Sequence, residues 1–192
     1  MRPICFKTAI KGKWFMIMIS NGVGSFLQAQ SAKIREMIEK GLLGVVVCLP
    51  APAIASGDAG AADGSVSKPI PIGVFSIRVE EMWPHHRRAE LGLMLLRTFQ
   101  GQGYGTEMIE WGLDWAFRFG NLHRVSLTCV GHNEGAKKLY ERLGFVLEGT
   151  LREAIWIDGR YYPEYIMSIL EHEWRKRRDQ EEAVIGAHRP TE

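Results

Sequence analysis

Seven consecutive residues have the composition of an anion socket: Gln100, Gly101, Gln102, Gly103, Tyr104, Gly105 and Thr106. An apolar run from Leu91 to Leu96 enters this stretch, and an amphipathic segment over 106–119 leaves it. A strand, a glycine turn and a helix start, in that order, leave backbone N–H groups outside any ladder at the positive end of the helix dipole. The glycines let a ligand approach the main chain without meeting a Cβ. The chemistry this suits is capture of a pyrophosphate-like anion by backbone amides. A P-loop would need Gly-Lys-Ser/Thr, but Tyr104, Gly105 and Thr106 follow Gly103, with no lysine. The dinucleotide fingerprint would need glycine where Thr106 stands and an acidic residue ending a second strand about 20 residues on. Taken alone, the loop fits a ligand-free surface turn equally well.

Other side chains divide between chemistry and packing. Glu90 is a lone carboxylate in an apolar strand, where burial favours proton uptake and so suits a general base. The alternative is a carboxylate satisfied by Arg78, Arg88 or a backbone amide. Glu80 and Glu81 are secondary candidates, as bases or as attractors of a cationic substrate. His85 and His86 are adjacent in a segment read as extended, so their rings point apart and do not share a metal. His123 and His132 flank a strand and read as solvated. Trp111 and Trp115, one turn apart, read as a packing stripe. No metal site is expected.

The elements that must position these residues fit in one domain. The chain has 192 residues, 46% apolar and 24% charged, which is enough for a sizeable core. A net charge of +2 gives no broadly basic surface, so no nucleic-acid partner is expected. Arg175, Lys176, Arg177 and Arg178 are offset by Asp179, Glu181 and Glu182, as on a solvated helical tail. Cys5, Cys48 and Cys129 are odd in number and lack Cys-x-x-Cys spacing, which points to a reducing, cytoplasmic setting. The apolar patch over 14–19 is far shorter than the ~20 residues that cross a bilayer, so no membrane partner is expected.

Read in order, residues 1–24 form an atypical segment with a strand-like patch at 14–19. Residues 26–40 have helical spacing and stop at Gly41, and residues 42–49 form a buried strand. Residues 51–68, rich in Ala, Gly, Ser and Asp, read as a flexible loop. Strands are expected over 70–80, with Gly73 a bulge or close approach, and over 89–96. A helix over 106–119, a strand over 124–130 and a second helix over 133–143 follow. Asn133 caps the second helix and Gly144 is its left-handed stop. Strands to Asp158 and from Arg160 to Leu170 form a hairpin turned at Asp158-Gly159, with Pro163 marking an edge or a bulge. The fold class is α/β with a mixed sheet.

Three stretches together resemble the GNAT superfamily of acetyl-CoA-dependent acetyltransferases. Gln100-Gly-Gln-Gly103-Tyr-Gly105 matches its Q/R-x-x-G-x-G/A loop. Asn133-Glu-Gly-Ala136-Lys-Lys-Leu139-Tyr140-Glu-Arg-Leu-Gly144-Phe145 is similar to its Asn-x-x-Ala-x-x-Leu-Tyr-x-x-x-Gly-Phe segment. Arg152 to Tyr162 resembles the branch of ribosomal-protein and spermidine N-acetyltransferases. The resemblance covers roughly 70–171 and implies a GNAT-like domain at 25–171, a charged tail at 172–192, and a mostly antiparallel mixed sheet with strands splayed at the coenzyme.

The resemblance further implies acetyl-CoA as cosubstrate, its pyrophosphate on residues 100–106 and its pantetheine arm along Leu93, Met94, Leu95 and Leu96. Asn133 is implied as a pantetheine contact and Tyr140 as general acid. Tyr140 lies seven residues, two helical turns, after Asn133, so both share a face. Without the resemblance, Tyr140 reads as a core aromatic beside Leu139 and Leu143. The implied reaction is direct transfer of acetyl to a primary amine: a protein N-terminus, a polyamine or a small amino compound. A homodimer is compatible with that family. Arg2-Pro3 and residues 14–38 only loosely echo the family's opening, where the acceptor is chosen.

Overall fold

The computed structural model describes residues 5–10, 13–19, 41–50, 69–79 and 83–187, with side chains described between 41 and 183. Eight strands and three helices lie among these residues. In order they are β1 (Cys5–Ile10), β2 (Lys13–Ile19), β3 (Leu43–Leu49), β4 (Ile70–Val79), β5 (Arg88–Leu95), α1 (Tyr104–Arg118), β6 (Arg124–Val130), α2 (Glu134–Arg142), β7 (Val146–Ile157), β8 (Arg160–Leu170) and α3 (Glu171–Ala187). The strands are hydrogen-bonded in the order β1-β2-β3-β4-β5-β6-β8-β7. Registered pairs are antiparallel except β5 with β6, which is parallel. This is the mixed, mostly antiparallel α/β arrangement expected. The expected helix at 26–40 and loop at 51–68 lie outside the described residues, as do Glu80 and Glu81.

By internal contacts the chain forms two compact units, Met1–Ser76 with Leu93–Met108, and Ile77–Gly92 with Ile109–Glu192. In the first, β3 is β-branched and buried on both faces, with Val45, Val46 and Cys48 fully covered. The apolar patch over 14–19 is β2, which pairs with β3 (Met16↔Cys48 to Ile19↔Val45) and with β1 (Cys5↔Met18 to Ile10↔Lys13). Strand β1 was not foreseen. Gly73 is a close approach: a Cβ there would lie 2.4 Å from the Met94 carbonyl oxygen.

In the second unit, β6 alternates Val125, Leu127 and Cys129 inward with Ser126 and Thr128 outward. Its parallel ladder with β5 runs from Arg88↔Arg124 to Glu90↔Ser126 and stops there. Strand β6 nevertheless stays paired with β8 through Val130↔Glu164. Asp158 (φ 47°) and Gly159 (φ 77°) are both left-handed, as the expected type I′ turn requires.

Of the two readings of Pro163, the bulge is the one observed: β8 pairs with both β6 and β7 and so is not an edge strand, and Pro163 sits opposite the register jump between Leu151 and Ile155. One expectation is corrected in this unit. The segment after Leu170 is not only a solvated tail. Trp174 on α3 is 3% exposed, and its ring packs 5.3 Å from that of Phe117 on α1.

Candidate active site

Within the first unit, β5 ends at Leu95 and a 3-10 turn, Arg97–Phe99, reverses the chain. Gly101 (φ 73°) and Gly103 (φ 89°) then take left-handed conformations that only glycine adopts freely. A Cβ built at either would meet nothing within 4 Å, so the main chain there faces open space. Two glutamines shape this loop from inside. Gln100 donates its side-chain amide to the Leu95 carbonyl at 3.0 Å, and Gln102 donates to the Thr98 carbonyl at 2.9 Å. The helix begins at Tyr104, two residues earlier than its periodicity suggested, because the Glu107 N–H already donates to the Gly103 carbonyl at 3.1 Å. Residues before Glu107, including Gly105 and Thr106, therefore stand at the positive end of α1, ahead of its ladder. The Tyr104 ring packs edge-on to Phe99 at 6.3 Å. Beside this loop, the Leu96 N–H bonds the Ile72 carbonyl at 2.9 Å, Met94 and Leu96 present exposed apolar side chains, and Leu93 and Leu95 are half-buried.

The second unit holds Glu90, Asn133 and Tyr140. Asn133 is the N-cap of α2: its Oδ1 accepts from the Ala136 N–H at 3.1 Å. Gly144 closes the helix at φ 90°. Tyr140 is 9% exposed and its ring meets Phe145 edge-on at 5.8 Å. Burial, helped by the neighbouring Cys129, pushes the phenol up to about 12. It therefore carries its proton at neutral pH.

Glu90 is not the buried carboxylate its strand suggested. Its side chain is 45% exposed, and Arg78 donates to Oε2 at 3.0 Å. The alternative in which Arg78 satisfies Glu90 is the one the geometry matches. The β4–β5 connection also differs from expectation. Pro84–His86 is a 3-10 turn rather than extended chain, so His85 and His86 meet at 4.4 Å with Trp83 stacked on His86. Among the described residues, no group of three or more His, Cys, Asp or Glu side chains is arranged to hold a metal. No described helix is long and apolar enough to cross a membrane.

Three features were not singled out from the sequence. Cys129, on β6 beneath α2, places Sγ 3.8 Å from both the Val130 and Asn133 carbonyls. Burial, and the charge of Glu134, push its thiol up. Lys137 on α2 stands 4.5 Å above the Tyr165 ring of β8. Glu148 binds the Arg124 guanidinium and accepts from the buried Ser168 hydroxyl at 2.8 Å. The bond from Arg124 holds the Glu148 carboxyl below the usual carboxylate range. The Lys137 and Glu148 contacts depend on long-range packing and pairing, which local sequence does not display.

The geometry agrees with what the chain resembles. The family model "Acetyltransferase (GNAT) domain" matches residues 28–146, more than half the chain. Spermidine N(1)-acetyltransferase of Vibrio cholerae is 38% identical over 92 residues, which are 48% of this chain and 53% of that protein. The Bacillus subtilis protein named "Putative ribosomal N-acetyltransferase YdaF" is 30% identical over 89 residues, 46% of this chain and 49% of that one. The chain thus spans about half the length of the curated relatives it matches. Among solved structures, spermidine N-acetyltransferase from Vibrio cholerae in complex with CoA and spermine superposes with a TM-score of 0.53 at 31% identity. That match covers 69% of this chain and 67% of the other.

Proposed function

Because the chain belongs to the GNAT acetyltransferase family, we propose that it is an acetyl-CoA-dependent N-acetyltransferase acting on a primary amine. The observation that carries this reading is the loop after β5, with Gly101 and Gly103 left-handed, open space beside both, and α1 starting at Tyr104. Acetyl-CoA fits that site, because its pyrophosphate suits the main-chain donors at the start of α1. When bound, it supplies a thioester-activated acetyl group.

The chain's own residues supply the rest. Gly101 to Thr106 bind the anionic end, and Leu93 to Leu96 offer strand backbone and apolar side chains to the arm. Asn133 fixes the start of α2, the helix that carries Tyr140. Tyr140 Oη donates toward the departing sulfur. A phenol near 12 does not hand its proton outright to a thiolate whose acid titrates near ~8.5. Tyr140 therefore acts first as a hydrogen-bond donor; when its proton passes to the sulfur, the tyrosinate takes up the proton that the amine nitrogen loses on acylation, and the phenol is restored. The exposed, arginine-paired Glu90 is better suited to orienting an ammonium group than to acting as a buried base. The acceptor is a polyamine, a peptide N-terminus or a small amine, attacking directly in a ternary complex without an acyl-enzyme. Holding the two reactants together contributes much of the acceleration.

The test is thiol release from acetyl-CoA with spermidine, an N-terminal peptide and a small primary amine, alongside calorimetry with CoA. Tyr140→Phe should lower kcat by about 10²-fold, the scale of a lost general acid, while leaving CoA affinity within about twofold. An unchanged kcat removes Tyr140 from the chemistry. CoA binding without turnover on any amine makes the chain a coenzyme-binding module. No heat with CoA or acetyl-CoA overturns the whole reading.

A further inference from the structure

Lys137 occupies a place that helix electrostatics disfavour. It is the fourth residue of α2, near the positive end of the dipole, where a cation is unfavourable and an acid such as Glu134 is preferred. The structure supplies what offsets this. Lys137 Nζ stands over the Tyr165 ring of β8 at 4.5 Å and lies 3.8 Å from Glu141 one turn on. Its side chain is only 25% exposed. Tyr165 is in turn the register partner of Cys129 on β6, whose Sγ reaches the Asn133 carbonyl at the start of the same helix. Lys137, Tyr140 and Glu141 are spaced i, i+3 and i+4, so they share one face of α2.

We infer that Lys137 is a positioning residue, clamping α2 onto Tyr165 of β8 and so holding the Tyr140 phenol in its buried setting. The inference rests on the reading of Tyr140 as proton donor, but its physical content, the burial of that phenol, is measurable without turnover. Among the described residues, the charged and titratable groups shown to interact within this cluster are Cys129 from β6, Glu134, Lys137, Tyr140 and Glu141 from α2, and Tyr165 from β8. Loss of the clamp lets water reach Tyr140, and its ionisation moves down.

The experiment is tyrosinate absorbance titration of the full chain, paired with steady-state kinetics, for Lys137→Met, Lys137→Arg, Tyr165→Leu and Tyr165→Phe. Methionine keeps much of the apolar stem but not the charge. Lys137→Met and Tyr165→Leu should move the Tyr140 midpoint from about 12 toward the unperturbed value of 10.0. Both should lower kcat about 10-fold with the KM for acetyl-CoA within about twofold, because the phenol, although more acidic, is no longer held at the sulfur. Lys137→Arg and Tyr165→Phe keep cation and ring and should stay near wild type. The inference is overturned if Lys137→Met lowers the melting temperature yet leaves midpoint and kcat unmoved, since the lysine would then only support the fold. It is also overturned if Lys137→Arg fails as badly as Lys137→Met. If Tyr165→Leu does not fold, the lysine pair decides. A midpoint that falls in a protein inactive on every amine upholds the clamp and rejects the acetyl-transfer reading, so the two failures are distinguishable.

Discussion

Tyr140 is the residue whose surroundings say most about its use. Folding buries its phenol, and ionisation in the native protein is raised from 10.0 to about 12. The sign of the linkage follows. Between those values the unfolded chain has released a proton that the native state keeps. The contribution of Tyr140 to stability is therefore complete below pH 10 and is lost as pH climbs toward 12. A titration of the tyrosinate band should show one of the chain's five tyrosines ionising last, with a midpoint near 12, and Tyr140→Phe should delete that late phase. Ionisation of all five in a single step near 10 would mean that the phenol is not buried. Glu90 shows the limit of reading one residue from its neighbours. Its apolar strand suggested burial, yet its partner Arg78 lies twelve positions earlier and meets it only through sheet pairing.

At the scale of elements, the positions legible in the sequence are those where local chemistry alone decides the backbone. Gly101, Gly103, Gly144 and the Asp158-Gly159 pair all adopt the left-handed conformations their residue types allow, and Asn133 caps α2. The illegible ones depend on distant chain. Strand β1 has no clear alternation and is defined by its pairing with β2. Pro163 reads as an edge or a bulge residue, and only the pairing of β8 with β7 decides for the bulge. The glycines also separate by cause. Gly73 is required because a Cβ would strike the Met94 carbonyl at 2.4 Å, whereas Gly103 is required by its φ of 89° alone. Gly73→Ala should cost ~1–3 kcal/mol from overpacking. Gly103→Ala should cost ~1–2 kcal/mol from left-handed strain. Asparagine discriminates the two, since it tolerates a left-handed backbone but is larger. In urea denaturation, Gly103→Asn should recover stability relative to Gly103→Ala, and Gly73→Asn should lose more than Gly73→Ala.

At the scale of the whole molecule, the question is where the domain ends. Charge counting placed residues 172–192 outside it, because Arg175 to Arg178 are balanced by nearby acids as on a solvated arm. One residue weighs against that. Trp174, 3% exposed, packs on Phe117 with the Arg118 guanidinium 5.8 Å from its ring, and Arg178 reaches Asp114 on the same helix at 3.9 Å. The exposed ion pairs contribute little, roughly 0–1 kcal/mol each. The buried indole decides the matter, since truncating a core tryptophan costs ~3–5 kcal/mol. For a chain of this size that corresponds to a fall in melting temperature of roughly 6–20 °C. Calorimetry of Trp174→Ala separates the alternatives, because an arm outside the core would leave stability within ~0.5 kcal/mol. A large drop makes α3 part of the scaffold behind α1, the helix whose first turn is proposed to receive the anion. In that case, shortening the chain after Leu170 should weaken CoA binding through loss of fold.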